Sequence, residues 1–560
     1  MNTFWQTQAK RLFHNLDLFF FFGLLLTLPF SIRKVLINYP IAGGFNEYSG
    51  IYLYLSDIFA ALTILSWLFI LCNKYYILSI DNPHVIHKDN LWTKHYPQVI
   101  LHNPLASVGL IFVLWSFSSF WWSENKPLSI FHSIKLLELY LLSIYITYRI
   151  VPRGTLLKDA FKLIVLGGVI NSVLAIWQFA IQNSVGLNFL RESIISPDIS
   201  GVAKVILDGQ KMIRAYGFFP HPNILGGFLA LSIILTLSYR KMFHPSTNVP
   251  PQYKCSTWNI ILGRRGTSYG AGVEHSGKVD YFGKALVCLQ LTALILTFSK
   301  SAILGLLIAL LYIYVPSLCE CSTWNIIPGK RPPASKPNGT LYDIKMKHIS
   351  RNLLIIFFIV SALISIFPNI VNFKSQSLEE RQLYANVSRG TITDHALLGV
   401  GNGNLVWSYP EYQNLESWQY QPVHNVFLLI WSELGIIGLF LFIYILYRLF
   451  HSDFNVPRLS VRRMFHPDTN VPRGTLYGAG VEHSKADGTI HRASMEQSKT
   501  IATASTSLTV RLFEGILLGF IFIMLFDHYL WDIQQGQLML WVIFGLIAGQ
   551  KLRSSDIISL

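Results

Sequence analysis

Four polar clusters interrupt an otherwise apolar chain, and each contains a side chain that can do chemistry. In RAYGFFPHPN at 214–223, Arg214 offers a planar fork of donors suited to phosphate. Pro220 and Pro222 break the chain ahead of a helix start, and Asn223 stands where it can cap that helix, whose N-terminus favours an anion. In TFSKSA at 297–302, Lys300 sits at the junction of two apolar runs, a costly place for a charge unless it meets water or a partner. SLEERQLYANVSRGTITDHALLGVGNGN at 377–404 carries Arg381 and Arg389, eight residues apart and able to share one helix face, and closes on the glycine-rich GVGNGN. HNVFLLIWSELGIIG at 424–438 opens with His424, a proton acceptor near neutral pH.

Each cluster also has a plain structural reading: an ordinary cap with an interfacial Arg, a Lys that snorkels, an interfacial polar His. GVGNGN is neither a Walker loop nor a dinucleotide fingerprint, because no strand precedes it and no Gly-Lys-Ser follows. Glu379, Glu380 and Asp394 could supply a hydrolytic carboxylate pair, but no other feature supports that chemistry.

The elements that must position these residues are membrane helices. Of 560 residues 52% are hydrophobic and 13% charged, with mean hydropathy +0.41, against roughly 25% charged in soluble domains. The fold expected is all-α, a polytopic integral membrane helix bundle with about 12 transmembrane helices and one large extracytoplasmic loop. The spans predicted are 16–37, 51–73, 104–123, 128–148, 160–182, 218–239, 283–299, 301–318, 352–371, 425–447, 512–529 and 531–549. The run after Lys10 and Arg11 lacks a small-x-small cleavage site and reads as the first span, not a signal peptide.

Charge sets the orientation. The net +15 lies in loops between apolar runs, which reads as topology and excludes a nucleic-acid partner. Loops 240–284, 319–351 and 448–511 hold 7, 6 and 9 Lys and Arg, whereas 372–423 holds three with five acids. Both termini and the three basic loops are therefore expected inside and 372–423 outside. The organisation expected is nine helices over 1–371 with repeat-containing loops at about 240–282 and 319–350, an extracytoplasmic loop over 372–424, and three helices over 425–560 with a loop at about 450–510. Cys72, Cys255, Cys288, Cys319 and Cys321 form neither a disulfide framework nor a zinc spacing.

Short strings recur without a fixed period. MFHPSTNVP at 242–250 returns as MFHPDTNVP at 464–472; CSTWNII stands at 255–261 and 321–327, YGAGVEHS at 269–276 and 477–484, and VPRGTL at 151–156 and 471–476. Irregular spacing excludes a solenoid. Rich in Gly, Pro, Ser and Thr, they read as insertions into loops, where added length costs little.

Taken together, the order and spacing of the four clusters, with DHYLWDIQQGQLMLWVIFGLIAG at 527–549, resemble the O-antigen ligase and polymerase family of bacterial envelope glycan enzymes over about 160–549. The resemblance implies a GT-C-like inner-membrane glycosyltransferase that moves a glycan from an undecaprenyl diphosphate-linked oligosaccharide to an acceptor hydroxyl on a glycan or lipid core. It implies no nucleotide sugar, metal ion or other cofactor. His424 matches the loop-end base, Arg381 the loop arginine that engages diphosphate, and Arg214 the arginine of an RxxGxFxxPN pattern. Lys300 occupies the place of a cation that is usually Arg, and as a point charge it lacks the bidentate fork. Asn223 and Arg389 join the substrate-binding set. A lipid-linked glycan flippase or other transporter is the alternative; it should show charges inside spans, whereas the sequence places them at span edges. If the repeats are insertions, deleting 464–484 should leave glycan transfer largely intact in membranes; an inactive deletion variant at normal membrane levels would refute the insertion reading.

Overall fold

The structure is a computed structural model that describes residues 15–81, 103–243, 281–319, 376–451 and 509–558. The expected span 352–371 and nearly all the repeats lie outside these residues. Twelve longer helices are described: α1 Leu16–Thr27, α2 Leu55–Asp81, α3 Pro104–Ser118, α4 Lys126–Tyr145, α5 Gly154–Ile181, α6 Pro222–Phe243, α7 Tyr281–Leu296, α8 Lys300–Cys319, α9 Gln376–Asp394, α10 Val426–His451, α11 over 509–524 and α12 Gln534–Ile558. Among the described residues five helices are long and apolar enough to cross a membrane: Leu55–Cys72, Lys126–Ile150, Gly154–Ile181, Pro222–Tyr239 and Val426–His451. Shorter apolar helices cover Leu16–Thr27, Leu105–Trp121, Tyr281–Leu296 and Lys300–Tyr314. The chain has the architecture of a mostly helical membrane protein. α3 packs on α4 and α10, α4 on α12, and α5, α6 and α7 on one another, with α9 against α10.

Three expectations need correction. The first apolar run is not one helix to residue 37: α1 ends at Thr27, and Arg33–Asn38 (β1) pairs antiparallel with Gly50–Tyr54 (β2), Arg33 opposite Tyr54. Pro29 ends the helix, and the β-branched RKVLIN favours an extended chain. A second antiparallel hairpin, Lys204–Leu207 (β3) with Gln210–Ile213 (β4), leads toward Arg214. The fold is thus helical with two small hairpins. Next, VPRGTL at 151–156 is not in an insert: Val151 is fully buried, and the segment turns α4 into α5.

The last correction concerns charge. Lys135 and Glu138 lie well inside the apolar helix α4, whereas Asp17 and Asp57 stand in the first turns of α1 and α2, at helix edges as expected. Lys135 on α4 pairs with Asp57 on α2 and lies 3.6 Å from Glu138. Asp57 also accepts Gln534 Nε2 at 2.5 Å. Asp17 on α1 accepts Arg149 Nε at 2.6 Å and the Tyr145 hydroxyl at 3.2 Å. Unpaired ions are costly in such an interior, and pairing makes them tolerable. Hydropathy averages conceal the pairs, because one ion adds little to a window of apolar neighbours.

GVGNGN is built into the bundle. α10 is interrupted at Gly435, which has φ 69° and ψ −176°. The break releases backbone groups that the loop takes up: Val400 N–H donates to the Ser432 carbonyl at 2.9 Å, Gly401 N–H to that of Glu433 at 2.8 Å, and Ile436 N–H to that of Ala396 at 2.9 Å. Trp115 Nε1 donates to the Leu434 carbonyl at 2.9 Å. Three carbonyls and one N–H beside the break thus find partners outside the helix, as an apolar surrounding demands. A Cβ on Gly435 would stand 2.0 Å from the Leu397 carbonyl oxygen, in a backbone conformation side chains rarely adopt. Gly435→Ala should therefore destabilise the protein by at least about 1–3 kcal/mol, read as a lower unfolding midpoint in detergent. A wild-type midpoint would show that the loop does not fill the break.

Candidate functional site

The site forms where α6, the α7–α8 junction, α9, the start of α10 and the segment after α11 converge. α6 begins at Pro222, and its cap is His221. The His221 carbonyl accepts from Ile224 and Leu225 N–H at 3.1 and 3.3 Å, and its Nδ1 accepts from Asn223 N–H at 3.2 Å. The cap expected of Asn223 thus belongs to His221, because Pro222 takes the first helical position. The Asn223 side chain is left to bridge: its Oδ1 accepts Arg214 Nη2 at 2.5 Å and its Nδ2 donates to Asp527 Oδ2 at 2.6 Å. Arg214 Nε donates at 2.6 Å to the Thr297 carbonyl, at the turn that ends α7. Three residues on, Lys300 opens α8 and is exposed.

α9 contributes Arg381, whose Nη1 donates to the Phe526 carbonyl at 3.1 Å. Asn425 caps α10 by accepting Leu428 N–H at 3.0 Å, and its Nδ2 donates to the Leu525 carbonyl at 3.2 Å. Both carbonyls follow the end of α11, where helical partners run out. Arg389, two turns further along α9 and half-buried, donates to Asn386 Oδ1 at 3.0 Å. The structure thus joins Arg214, Asn223, Arg381 and His424 around Asp527, leaves Lys300 exposed three residues after the Thr297 turn that Arg214 holds, and places Arg389 further along α9 from Arg381.

His424 lies partly accessible between two rings. It stacks on Tyr384 at 5.9 Å with 11° between planes, and meets His528 edge-on at 4.9 Å and 89°. Its Nδ1 is closed off from solvent and has no acceptor or donor in the protein. Loss of water around the ring, reinforced by the nearby charges of His528 and Arg381, holds its pKa well below the ordinary 6.5, although Asp527 opposes them. His528 behaves oppositely: burial alone would lower it, but Asp532, 2.8 Å from its Nδ1, raises it above 6.5. Burial disfavours ionisation of Asp527, yet the charges of His528 and Arg381 outweigh burial and keep its carboxyl below the usual range. Burial brings Arg214 down to about 10, which leaves it charged at neutral pH. The cluster therefore offers a neutral imidazole beside fixed cations, with Asp527 and Asp532 balancing part of the charge. Such a set can take a proton and stabilise a developing anion.

Reading the sequence for function singled out neither His221, Asp527, His528 nor Asp532. A signal was present: from 515 to 550 the only acids, bases or histidines are Asp527, His528 and Asp532. Among the described residues no group of three or more His, Cys, Asp or Glu has the arrangement of a metal site.

A family model described as O-antigen ligase matches residues 285–443. This stretch runs from α7 into α10 and includes Lys300, Arg381, Arg389 and His424; it is shorter than the 160–549 over which the motifs are similar. Over these residues the chain is similar to the O-antigen ligase family. No curated protein matches the chain.

The two histidines should titrate on opposite sides of 6.5. Asp532→Asn removes the charge that raises His528, so its pKa, followed by NMR of nitrogen-labelled histidine, should fall below its wild-type value. An unchanged His528 titration would exclude the pairing as its cause.

Proposed function

We propose that the chain is a lipid-carrier-dependent glycosyltransferase of the ligase or polymerase type, working at the extracytoplasmic face of the bacterial cytoplasmic membrane with both termini inside. Its donor is an undecaprenyl diphosphate-linked oligosaccharide, and its acceptor is a hydroxyl on a glycan or lipid core. The acceptor oxygen attacks the anomeric carbon, the bond from that carbon to the diphosphate oxygen breaks, and undecaprenyl diphosphate leaves with the bonding pair. His424 takes the acceptor proton. Arg381 and Arg214, with Lys300, Arg389 and the Asn223 amide, bind the diphosphate and stabilise its growing charge. The balance closes without a metal ion or redox cofactor.

One observation carries this reading: a neutral His424 stands beside guanidinium groups with donors to spare. Arg214 has two N–H bonds committed, through Nε and Nη2, and Arg381 one through Nη1. The remaining donors have no protein acceptor among the described residues. Guanidinium carries five N–H donors in a planar fork, the geometry that diphosphate oxygens match. In a site with little water such fixed donors act strongly on charge that develops during reaction.

The flippase reading is favoured by one feature, the buried Lys135, Asp57 and Glu138 group inside the bundle. The two readings separate in one assay. Protein in nanodiscs receives an undecaprenyl diphosphate-linked oligosaccharide and acceptor without added metal, and released undecaprenyl diphosphate is measured. His424→Ala should reduce release by about 10²–10⁴, and Arg381→Ala by about 10²–10³. Because its pKa is depressed, His424 stays deprotonated as pH falls through 6.5; the acid limb of the rate profile should lie below 6.5. Wild-type release by both variants would remove these residues from the reaction, and unreacted carrier crossing a bilayer would establish the flippase.

A further inference from the structure

A cavity of about 720 Å³ opens behind the GVGNGN loop, at the end of α9 opposite Arg381. Its walls carry Trp122 and Trp407, the carboxylates of Glu124, Asp394 and Glu411, and His395. We propose that this groove binds sugar units of the lipid-linked glycan, by stacking on the two tryptophans and hydrogen-bonding hydroxyls to the carboxylates. The proposal rests on the glycan-transfer reading for the direction in which the sugar chain runs.

Depth comes first. The apolar helix Leu105–Trp121 ends beside the groove, Trp121 is 75% exposed, and the rim residue Leu397 is 60% exposed. Tryptophan at the end of an apolar helix marks the membrane–water boundary. A groove at that level meets the head of a lipid-linked molecule, not its acyl part.

Charge comes second. The diphosphate cluster is built from Arg214, Arg381 and the nearby Lys300, whereas the groove carries three carboxylates. A phosphate is repelled from the groove and attracted to the cluster. Hydroxyl donors of a neutral or amino sugar fit carboxylate acceptors, and an acidic sugar does not. Arg381 and Asp394 lie 13 residues apart on α9, a rise of about 20 Å, so one glycan of several units can hold its diphosphate at the cluster and lay later sugars in the groove.

Preorganisation comes third. Trp122 and Trp407 are both half-buried. Trp122 packs on Trp115 at 5.5 Å, and Trp407 meets Tyr39 edge-on at 6.2 Å. Asp394 is fixed by the Tyr412 hydroxyl at 2.9 Å. Rigid aromatic walls lose little entropy when a ring stacks on them.

The test uses the full chain in nanodiscs on an array of free glycans that spans neutral, amino-sugar and acidic members. Neutral or amino-sugar glycans should bind, and acidic ones should bind more weakly. Trp407→Ala and Glu411→Lys should each weaken binding by about tenfold or more, while Trp407→Phe restores most of it. Unfolding midpoints of the variants identify any loss due to misfolding, and Glu411→Lys, at an exposed position, supplies an independent probe. Absence of binding to every neutral and amino-sugar glycan, a preference for acidic glycans, or binding that both substitutions leave unchanged would overturn the groove. Because the readout is binding, a protein that binds sugars yet releases no undecaprenyl diphosphate keeps the groove and loses the transfer reading; release without sugar binding does the reverse.

Discussion

The structure depends on a helix that stops being a helix for one residue. An apolar helix satisfies its backbone internally, so a break within it is stable only where other groups take up the freed carbonyls and N–H groups. In α10 these groups come from the loop that follows α9, and from Trp115 on α3. The exchange fixes three things together. It holds the α9–loop segment against the bundle, it ties α3 to α10, and it sets the path by which the chain returns to His424. Arg381 and His424 lie on opposite sides of this loop in sequence and meet Asp527 from two directions, and the loop makes that convergence repeatable.

A second constraint follows from the solvent. Ions in a bundle of this composition must be paired, and the described residues show pairs at Asp17 with Arg149 and at Asp57 with Lys135. The candidate site departs from this pattern. Its acids and bases share partners through an amide, backbone carbonyls and ring edges, and some donors remain unused. The buried Nδ1 of His424 has no partner in the protein, and the half-buried Arg214 and Arg381 keep donors uncommitted nearby. That combination is the physical reason to read the region as a binding site and not as part of the scaffold.

Much of this was legible in the residues. The helices α2 to α8 and α10 follow from apolar length, and His424, Arg381, Arg214 and Asn223 were recognisable as polar residues at helix ends. What hydropathy could not show was apolar chain that is not regular helix: RKVLIN pairs as a strand, and Gly435 breaks α10 within a segment whose average hydropathy stays high. Partners across long separations were equally hidden. Asn223 and Asp527 lie 304 positions apart, and nothing local to PHPN indicates that its asparagine answers to an aspartate near the far end of the chain. Lys135 and Asp57 were overlooked for the same reason, since each alone looks like a small perturbation in an apolar window.

The Asn223 bridge shows why the site uses an amide where a carboxylate would also reach. A carboxylate in that place would pair directly with Arg214 and neutralise it, drawing its donors away from any incoming oxygen. The amide takes one N–H of Arg214 through its own oxygen and turns its nitrogen toward Asp527, so the arginine is oriented but keeps its charge. Asp527 in turn is held ionised by His528 and Arg381 against the opposing effect of burial. An acid here is useful because it offsets part of the cation charge while no anionic ligand is bound, which lowers the repulsion between Arg214 and Arg381. On the proposed reading, an arriving diphosphate would compete with one carboxylate that reaches Arg214 only through an amide, and so would find the arginine oriented but still charged.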